Sequence, residues 1–541
     1  MPETVDHAYE YARDVVGSLF DANYYVEAYQ DIRRANVDPL GHYLGHGWRE
    51  GRNPSRNFDT SYYLAENPDV RACNENPLVH FARIGAAEGR RPMRPVPPER
   101  IQIRNSRPPR ERVADWLRPP SEAGPDSFDL GRCLEDFGVA DAAGLVLSLS
   151  HDEYTVTAGG VQNCISDEAA MFPRMGVVYL HACPAQPLPV LSGELRTETF
   201  RLLLTMNGTR LGEVTHAKLA AELASLQGRF PCWLVVHHML GHSPELITAL
   251  ARIVGADRTI VWTHDFFTLC PSWVLMRNDV AFCSAPGPAS GACGICCYGE
   301  ERKDHMQRMR SFFDAVAPAV LAPSILALDF WRERGNLHHS RASVMAPCRI
   351  VLGNHPGPET VGGDDRALHV AFIGSPNYFK GWHVFDELAS RRRGDPRYRF
   401  YELSSRRHSG LPYMRHVEVN VGPKNRAGMV DAIAEAAIDV VVLWSMCMET
   451  FSFTAHEAVA AGAALVTRRG PGNIVPAISA VAPGQVCALE REEELFEKFA
   501  SGRIRDLAAA ENRRRGTLVF GGHTADYLRS SQQARGALAN A

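Results

Sequence analysis

From residue 144 onward the chain alternates short β-branched runs with longer amphipathic stretches, and no other feature limits the fold so much. Runs at 145–148, 177–180, 202–205, 233–236 and 259–262 read as strands, and stretches such as 212–227 and 243–254 read as helices. Strands alternating with helices in this way make a parallel, doubly wound sheet. The pattern resumes at 368–373, 398–402, 415–420, 438–443 and 464–467, after a break near 350. The alternation therefore predicts an α/β chain with two Rossmann-like domains facing each other. Their ligand belongs in the cleft, at the C-terminal ends of the strands.

The boundaries follow from shifts in composition. Residues 1–94 read as a small, mainly helical repeat module, and 95–140 as a Pro/Arg-rich linker. Residues 141–352 form the first Rossmann-like domain, 353–505 the second, and 506–541 a set of C-terminal helices. Apolar residues make up 45% of the 541, enough for sizeable cores. Basic and acidic residues nearly balance, 58 against 62, which argues against a dedicated polyanion binder and so against nucleic acid as a partner. No run of 18 apolar residues occurs, and the opening MPETVDHAYE lacks the basic-then-apolar layout of a signal peptide. The expected location is cytoplasmic, with peripheral contact at the inner face of a membrane open to the linker arginines and the repeats.

The N-terminal module repeats at a constant offset of 38, in units 20–57 and 58–94. Phe20-Asp21 recurs as Phe58-Asp59, Tyr24-Tyr25 as Tyr62-Tyr63, His42 as His80, and Glu50-Gly51-Arg52 as Glu88-Gly89-Arg90. A fixed period marks one supersecondary unit used twice. Each unit reads as short helices, the aromatics starting the first and the histidine on a second that ends near glycine. The histidines read as packed groups, and the module as a docking surface for its own second copy or a protein partner. The linker is too rich in Pro and Arg to build a core and reads as a solvated, semi-rigid spacer.

The sharpest motif lies at 438–478. A buried strand runs into a loop carrying Glu449, and a helix beginning near Thr454 carries Glu457, with seven residues between the two acids. One carboxylate then stands over the strand ends and the other in the first helical turn. The N–H groups around Ser452 to Ala455 suit a phosphate, and carboxylates can grip sugar hydroxyls. These residues, ETFSFTAHEAVAAG, resemble the Glu-x7-Glu signature of glycosyltransferase family 4, retaining enzymes of the GT-B fold. The resemblance covers about 144–480. It implies that Glu449 sits by the donor sugar, Glu457 by the nucleotide ribose, and Thr450, Phe451 and Ser452 in the donor loop between them.

The same resemblance extends to AFIGSPNYFKGW at 371–382. Lys380-Gly381 matches the family's Lys-Gly, which implies that Lys380 holds the donor diphosphate. The upstream arginine is replaced here by Ser375, Pro376 and Asn377. Gly159 and Gly160, after the first strand, resemble the family's glycine loop beside the diphosphate, where a helix start favours negative charge. His264-Asp265 resembles the family's His-Asp, in which the histidine approaches the reacting sugar. His237 and His238 also follow a strand and fall on the cleft side, with Asp265, as candidates for the acceptor or sugar side.

A last cluster comprises Cys270, Cys283, Cys293 and Cys296, with Cys297 adjacent, on a Gly/Pro-rich loop. One Cys-x2-Cys plus two further thiols suits a structural tetrahedral Zn²⁺, while buried or redox-active thiols are the alternatives. No His or carboxylate joins the set, so the reading includes no catalytic metal.

The resemblance implies transfer of a sugar from a nucleotide-diphosphate donor to a glycan or lipid-linked acceptor. The repeats resemble modules of bacterial surface-polysaccharide enzymes. A non-catalytic sugar-nucleotide or glycan-binding scaffold and a nucleotide-sugar epimerase are the other two classes.

Overall fold

The computed structural model describes residues 3–118, 128–356, 366–509 and 513–539. Parts of the expected linker (119–127), second domain (357–365) and C-terminal segment (510–512, 540–541) lie outside the described residues. The chain divides into two compact units.

One unit comprises the residues up to Ile101 together with Ala389–Arg393 and His408–Arg415. Its two repeats fold alike because the same residues make the same contacts. Asp21 caps the helix Ala22–Ala28 by accepting from the Tyr24 N–H, and Asp59 caps Thr60–Glu66 by accepting from Tyr62. The Tyr25 hydroxyl meets His42 Nδ1 at 3.0 Å, and Tyr63 meets His80 at 2.9 Å. Gly47 and Gly85 lie under those tyrosines, where an added Cβ would fall 2.1 and 2.2 Å from the hydroxyl oxygens. The repeat histidines are thus packing groups.

The other unit holds both Rossmann-like halves. Strands β1 (Gly144–Leu149), β2 (Val177–Pro184), β3 (Arg201–Met206), β4 (Thr209–Thr215), β5 (Cys232–Val236) and β6 (Thr259–Trp262) come first. They are followed by the hairpin β7 (Met276–Arg277) and β8 (Ala281–Phe282), then by β9 (Ala319–Ala322) and β10 (Arg341–Val344). The first sheet has the order β10-β9-β6-β5-β1-β2-β3-β4. Its central strand β1 is buried along its whole length, as a parallel strand covered on both faces must be.

Strand β11 (Cys348–Pro356) leads into β12 (Leu368–Ile373), β13 (Tyr398–Ser404), β14 (Arg415–Glu418), β15 (Val440–Leu443), β16 (Ala464–Arg468) and β17 (Val486–Leu489). These last six form a sheet ordered β14-β13-β12-β15-β16-β17. Finally β18 (Arg514–Phe520) pairs antiparallel with β11. The α/β class with two Rossmann-like sheets and a helical N-terminal module is the observed one.

Four expectations change. The run at 202–205 is antiparallel, because β3 and β4 form a hairpin at the sheet edge. The stretch 212–227 is not one helix: β4 continues to Thr215, whose hydroxyl caps His216–Ser225. The C-terminal segment contains β18 before its helix Thr524–Ala539. The linker is not simply solvated. Its residues 98–116 form short helices, and Arg112 donates to Asp279 and to the Tyr298 hydroxyl at 2.9 and 3.1 Å. Charge-assisted bonds thus help to hold a stretch with few apolar residues, while Trp116 and the helix Leu130–Asp136, with Leu130 and Leu134 fully buried, pack on the core of the first sheet.

Candidate active site

β12 ends at Ile373 and β15 at Leu443, neighbouring parallel strands whose C-terminal loops carry the two charges of the site. The loop after β12 closes on a 3-10 turn, Tyr378–Lys380, which ends at Gly381 in the left-handed region. A Cβ on Gly381 would fall 2.0 Å from the Trp444 carbonyl oxygen, so only glycine lets this turn press against the loop after β15. That close approach brings Lys380 Nζ to 2.7 Å from Glu449 Oε1. Ser445 Oγ donates to the same carboxylate oxygen, also at 2.7 Å. Burial works against the Lys380 charge, but Glu449, the Cys447 thiol and the hydrogen bond to Glu449 together outweigh it, and the ammonium titrates above its ordinary value.

Ser452 is the N-cap of the helix Phe453–Ala460, its hydroxyl accepting from the Ala455 N–H at 3.3 Å. That donor is therefore taken by the cap. Phe451 stacks on His456, with centroids 4.4 Å apart. Glu457 is buried on this helix, and desolvation raises its carboxyl to about 7, with Arg426 pulling the other way.

The first half closes over these loops. The Thr450 hydroxyl donates to the His264 carbonyl, and the Ser324 hydroxyl donates to the Thr450 carbonyl at 2.8 Å. Gly160 opens the helix Gly160–Met171, and a Cβ there would stand 3.8 Å from the Phe453 ring. Arg426 forms a two-point ion pair with Asp167 of that helix, at 3.1 and 2.9 Å. Gly160, through Phe453, and His264, through its carbonyl, thus meet the loop and helix that carry Glu449 and Glu457, and Lys380 meets Glu449.

The histidines divide into two hydrogen-bonded sets. His237 Nε2 lies 3.2 Å from the Glu168 carboxylate, and His237 Nδ1 lies 3.0 Å from His264 Nε2. The carboxylate accepts, so Nε2 of His237 carries a proton. Burial holds His264 neutral, near 3, and Glu168 ionises at about 2 because His237 and two hydrogen bonds outweigh its own desolvation. The Thr524 N–H also donates to Glu168, at 2.8 Å. In the second set His238 Nε2 meets Asp265 at 3.0 Å, while the Leu240 N–H donates to His238 Nδ1. His238 and Asp265 are therefore occupied with each other.

Sequence reading missed Glu168, Asp167, Arg426 and Ser445. Glu168 sits within the stretch after the glycine loop, but its partners Tyr179, His237 and Thr524 lie 11, 69 and 356 positions away, and no local spacing announces them.

The four cysteines at 270, 283, 293 and 296 line one small cavity of about 20 Å³. Arg302 Nη1 donates to Cys293 Sγ at 2.8 Å within it. Among the described residues no three His, Cys, Asp or Glu side chains are gathered closely enough to hold a metal ion. Nor, among the described residues, is any helix long and apolar enough to cross a membrane.

No family model matches the chain, and no curated protein does. Solved structures do resemble it. HepE from Anabaena, in complex with UDP-glucose, is 12% identical over 68% of this chain and 92% of its own, with a TM-score of 0.41. A glycosyltransferase from Rickettsia africae is 12% identical over 68% and 91%, at 0.42. An alpha,alpha-trehalose-phosphate synthase (UDP-forming) from Burkholderia vietnamiensis is 12% identical over 69% and 91%, at 0.39. Likeness at this level assigns no reaction, and the cleft residues carry the reading below.

Proposed function

We propose that the chain is a retaining glycosyltransferase moving a sugar from a nucleotide-diphosphate donor to a glycan or lipid-linked acceptor. The observation that carries this reading is the Lys380–Glu449 pair at the strand ends, with Glu457 buried on the next helix and His264 bonded into the same loop. Lys380 is the cation for the diphosphate, Glu449 accepts hydrogen bonds from sugar hydroxyls, and His264 Nδ1 bonds another of them. Glu457 accepts from the ribose. As the bond from the anomeric carbon to the phosphate oxygen breaks, Lys380 and the start of the Gly160 helix stabilise the growing negative charge. The acceptor hydroxyl oxygen bonds to the anomeric carbon on the face the phosphate leaves. Its proton passes to the departing phosphate oxygen, so no protein nucleophile is required. Closure of the two halves excludes water that would otherwise hydrolyse the donor. The role in bacterial surface-polysaccharide synthesis belongs to the same proposal and is supported by the repeat module alone.

A screen of UDP-, GDP- and ADP-sugars by thermal shift tests it. One donor should raise the melting temperature above the others and be hydrolysed slowly, and Lys380→Ala should lose both effects. Absence of any shift at millimolar donor would leave the scaffold reading in its place.

For the cysteine loop we propose a structural Zn²⁺ at Cys270, Cys283, Cys293 and Cys296, which line one small cavity and would have to move closer together to hold it. Binding would draw the thiols inward beside Arg302. Elemental analysis of protein purified without chelator should find one zinc per chain, and none would overturn this.

A further inference from the structure

A cavity of about 300 Å³ lies beside Lys380, outside the residues just assigned to the donor. We propose that it binds a neutral sugar ring of the acceptor, an inference that rests on the glycosyltransferase reading. Three separate segments build it: the former linker, the loop after Asp265, and the turn preceding Lys380.

Its walls are aromatic. Trp273 comes from the loop after Asp265, and Tyr378 and Phe379 from the turn. Tyr378 is fixed by stacking on His383, with ring centroids 4.4 Å apart, and the Phe379 carbonyl accepts from the Met446 N–H. Rings held in this way can cover the C–H face of a pyranose and remove it from water.

Its rim is polar and charge-balanced. Arg112 donates to Asp279 Oδ2 at 2.9 Å and to the Tyr298 hydroxyl at 3.1 Å, and that hydroxyl donates to Asp279 Oδ1 at 2.6 Å. Each Asp279 oxygen has spent one acceptor site and keeps another, which suits sugar hydroxyls. Because Arg112 and Asp279 cancel, the rim offers no net attraction to an anion. A neutral ring with apolar faces and a hydroxyl edge matches both wall and rim, within the size range of small-molecule pockets.

Position separates this cavity from the nucleotide. Glu457 neighbours Arg426 and Cys348, neither of which lines it. Phe379 does line it, and its ring centroid is 5.7 Å from Lys380 Nζ. A sugar packed on Phe379 therefore lies next to the cation assigned to the diphosphate, where an attacking hydroxyl is needed.

The test uses the full chain saturated with the nucleoside diphosphate of the donor that the thermal-shift screen selects, and p-nitrophenyl glycosides of glucose, galactose, mannose, rhamnose and N-acetylglucosamine, read by saturation-transfer NMR. At least one glycoside should bind wild type. Trp273→Ala and Asp279→Asn should each weaken it at least tenfold, while the donor-induced thermal shift stays as in wild type. Retention of that shift shows that a variant is folded, and Phe379→Leu serves as the substitute should Trp273→Ala not fold. Two results overturn the assignment: no glycoside binding to protein that still binds donor, or binding indifferent to these substitutions. Failure of wild type to bind any donor falls on the transferase reading itself, and the assignment falls with it.

Discussion

Glu457 shows what burial does to one residue of this site. Desolvation raises its carboxyl from 4.5 to about 7, so the folded chain holds this proton more tightly than the unfolded one. Stability from this group is complete below the unfolded value near 4.5 and falls as pH rises through 7, in total by about 3 kcal/mol. Glu457→Gln removes the titration. The variant should melt with wild type at pH 4.5 and above it at pH 8, in paired calorimetric scans; a constant difference across pH would show that the carboxyl is not titrating there. The acid's identity was legible because Glu449 and Glu457 lie on one loop and helix, where spacing fixes geometry. Its raised proton affinity was not, since that depends on what the second half of the chain packs around it.

At the scale of elements, the turn Tyr378–Gly381 does the most to position the site. Gly381→Ala would set a Cβ 2.0 Å from the Trp444 carbonyl oxygen at a φ of +79°. Left-handed strain plus overlap should cost on the order of 3 kcal/mol, lowering the melting temperature and pulling Lys380 from Glu449. Donor-induced stabilisation should weaken with it, and an unchanged thermal shift would contradict the packing described. The sequence showed this turn as a Lys-Gly pair but not what it presses against. Strands buried on both faces, such as β1 and β15, were legible as short, largely apolar runs. β4 was not, because this edge strand, TRLGEVT, is largely half-exposed or exposed and merges with the helix after it. β18 alternates exposed and half-exposed positions, and reading the tail as helical passed over it.

At the scale of the molecule, long-range polar contacts tie the two Rossmann-like halves to each other and the C-terminal helix to the first half. Arg426 bridges 259 positions to Asp167, and Thr524 bridges 356 to Glu168, which in turn orients His237 and His264. Such pairs have no signature in a single sequence, which is why the histidine relay became visible only in the fold. The central claim is that Lys380 and Glu449 form the centre of sugar transfer. Proton NMR of a nucleotide sugar incubated with wild type and with Glu449→Gln tests it most directly. The account predicts that wild type releases nucleoside diphosphate together with a sugar product of unchanged anomeric configuration. Glu449→Gln should lose at least about a hundredfold in rate, the scale of one lost transition-state contact, while still binding donor. Turnover unaffected by the substitution, or a sugar isomerised but still attached to its nucleotide, would contradict it.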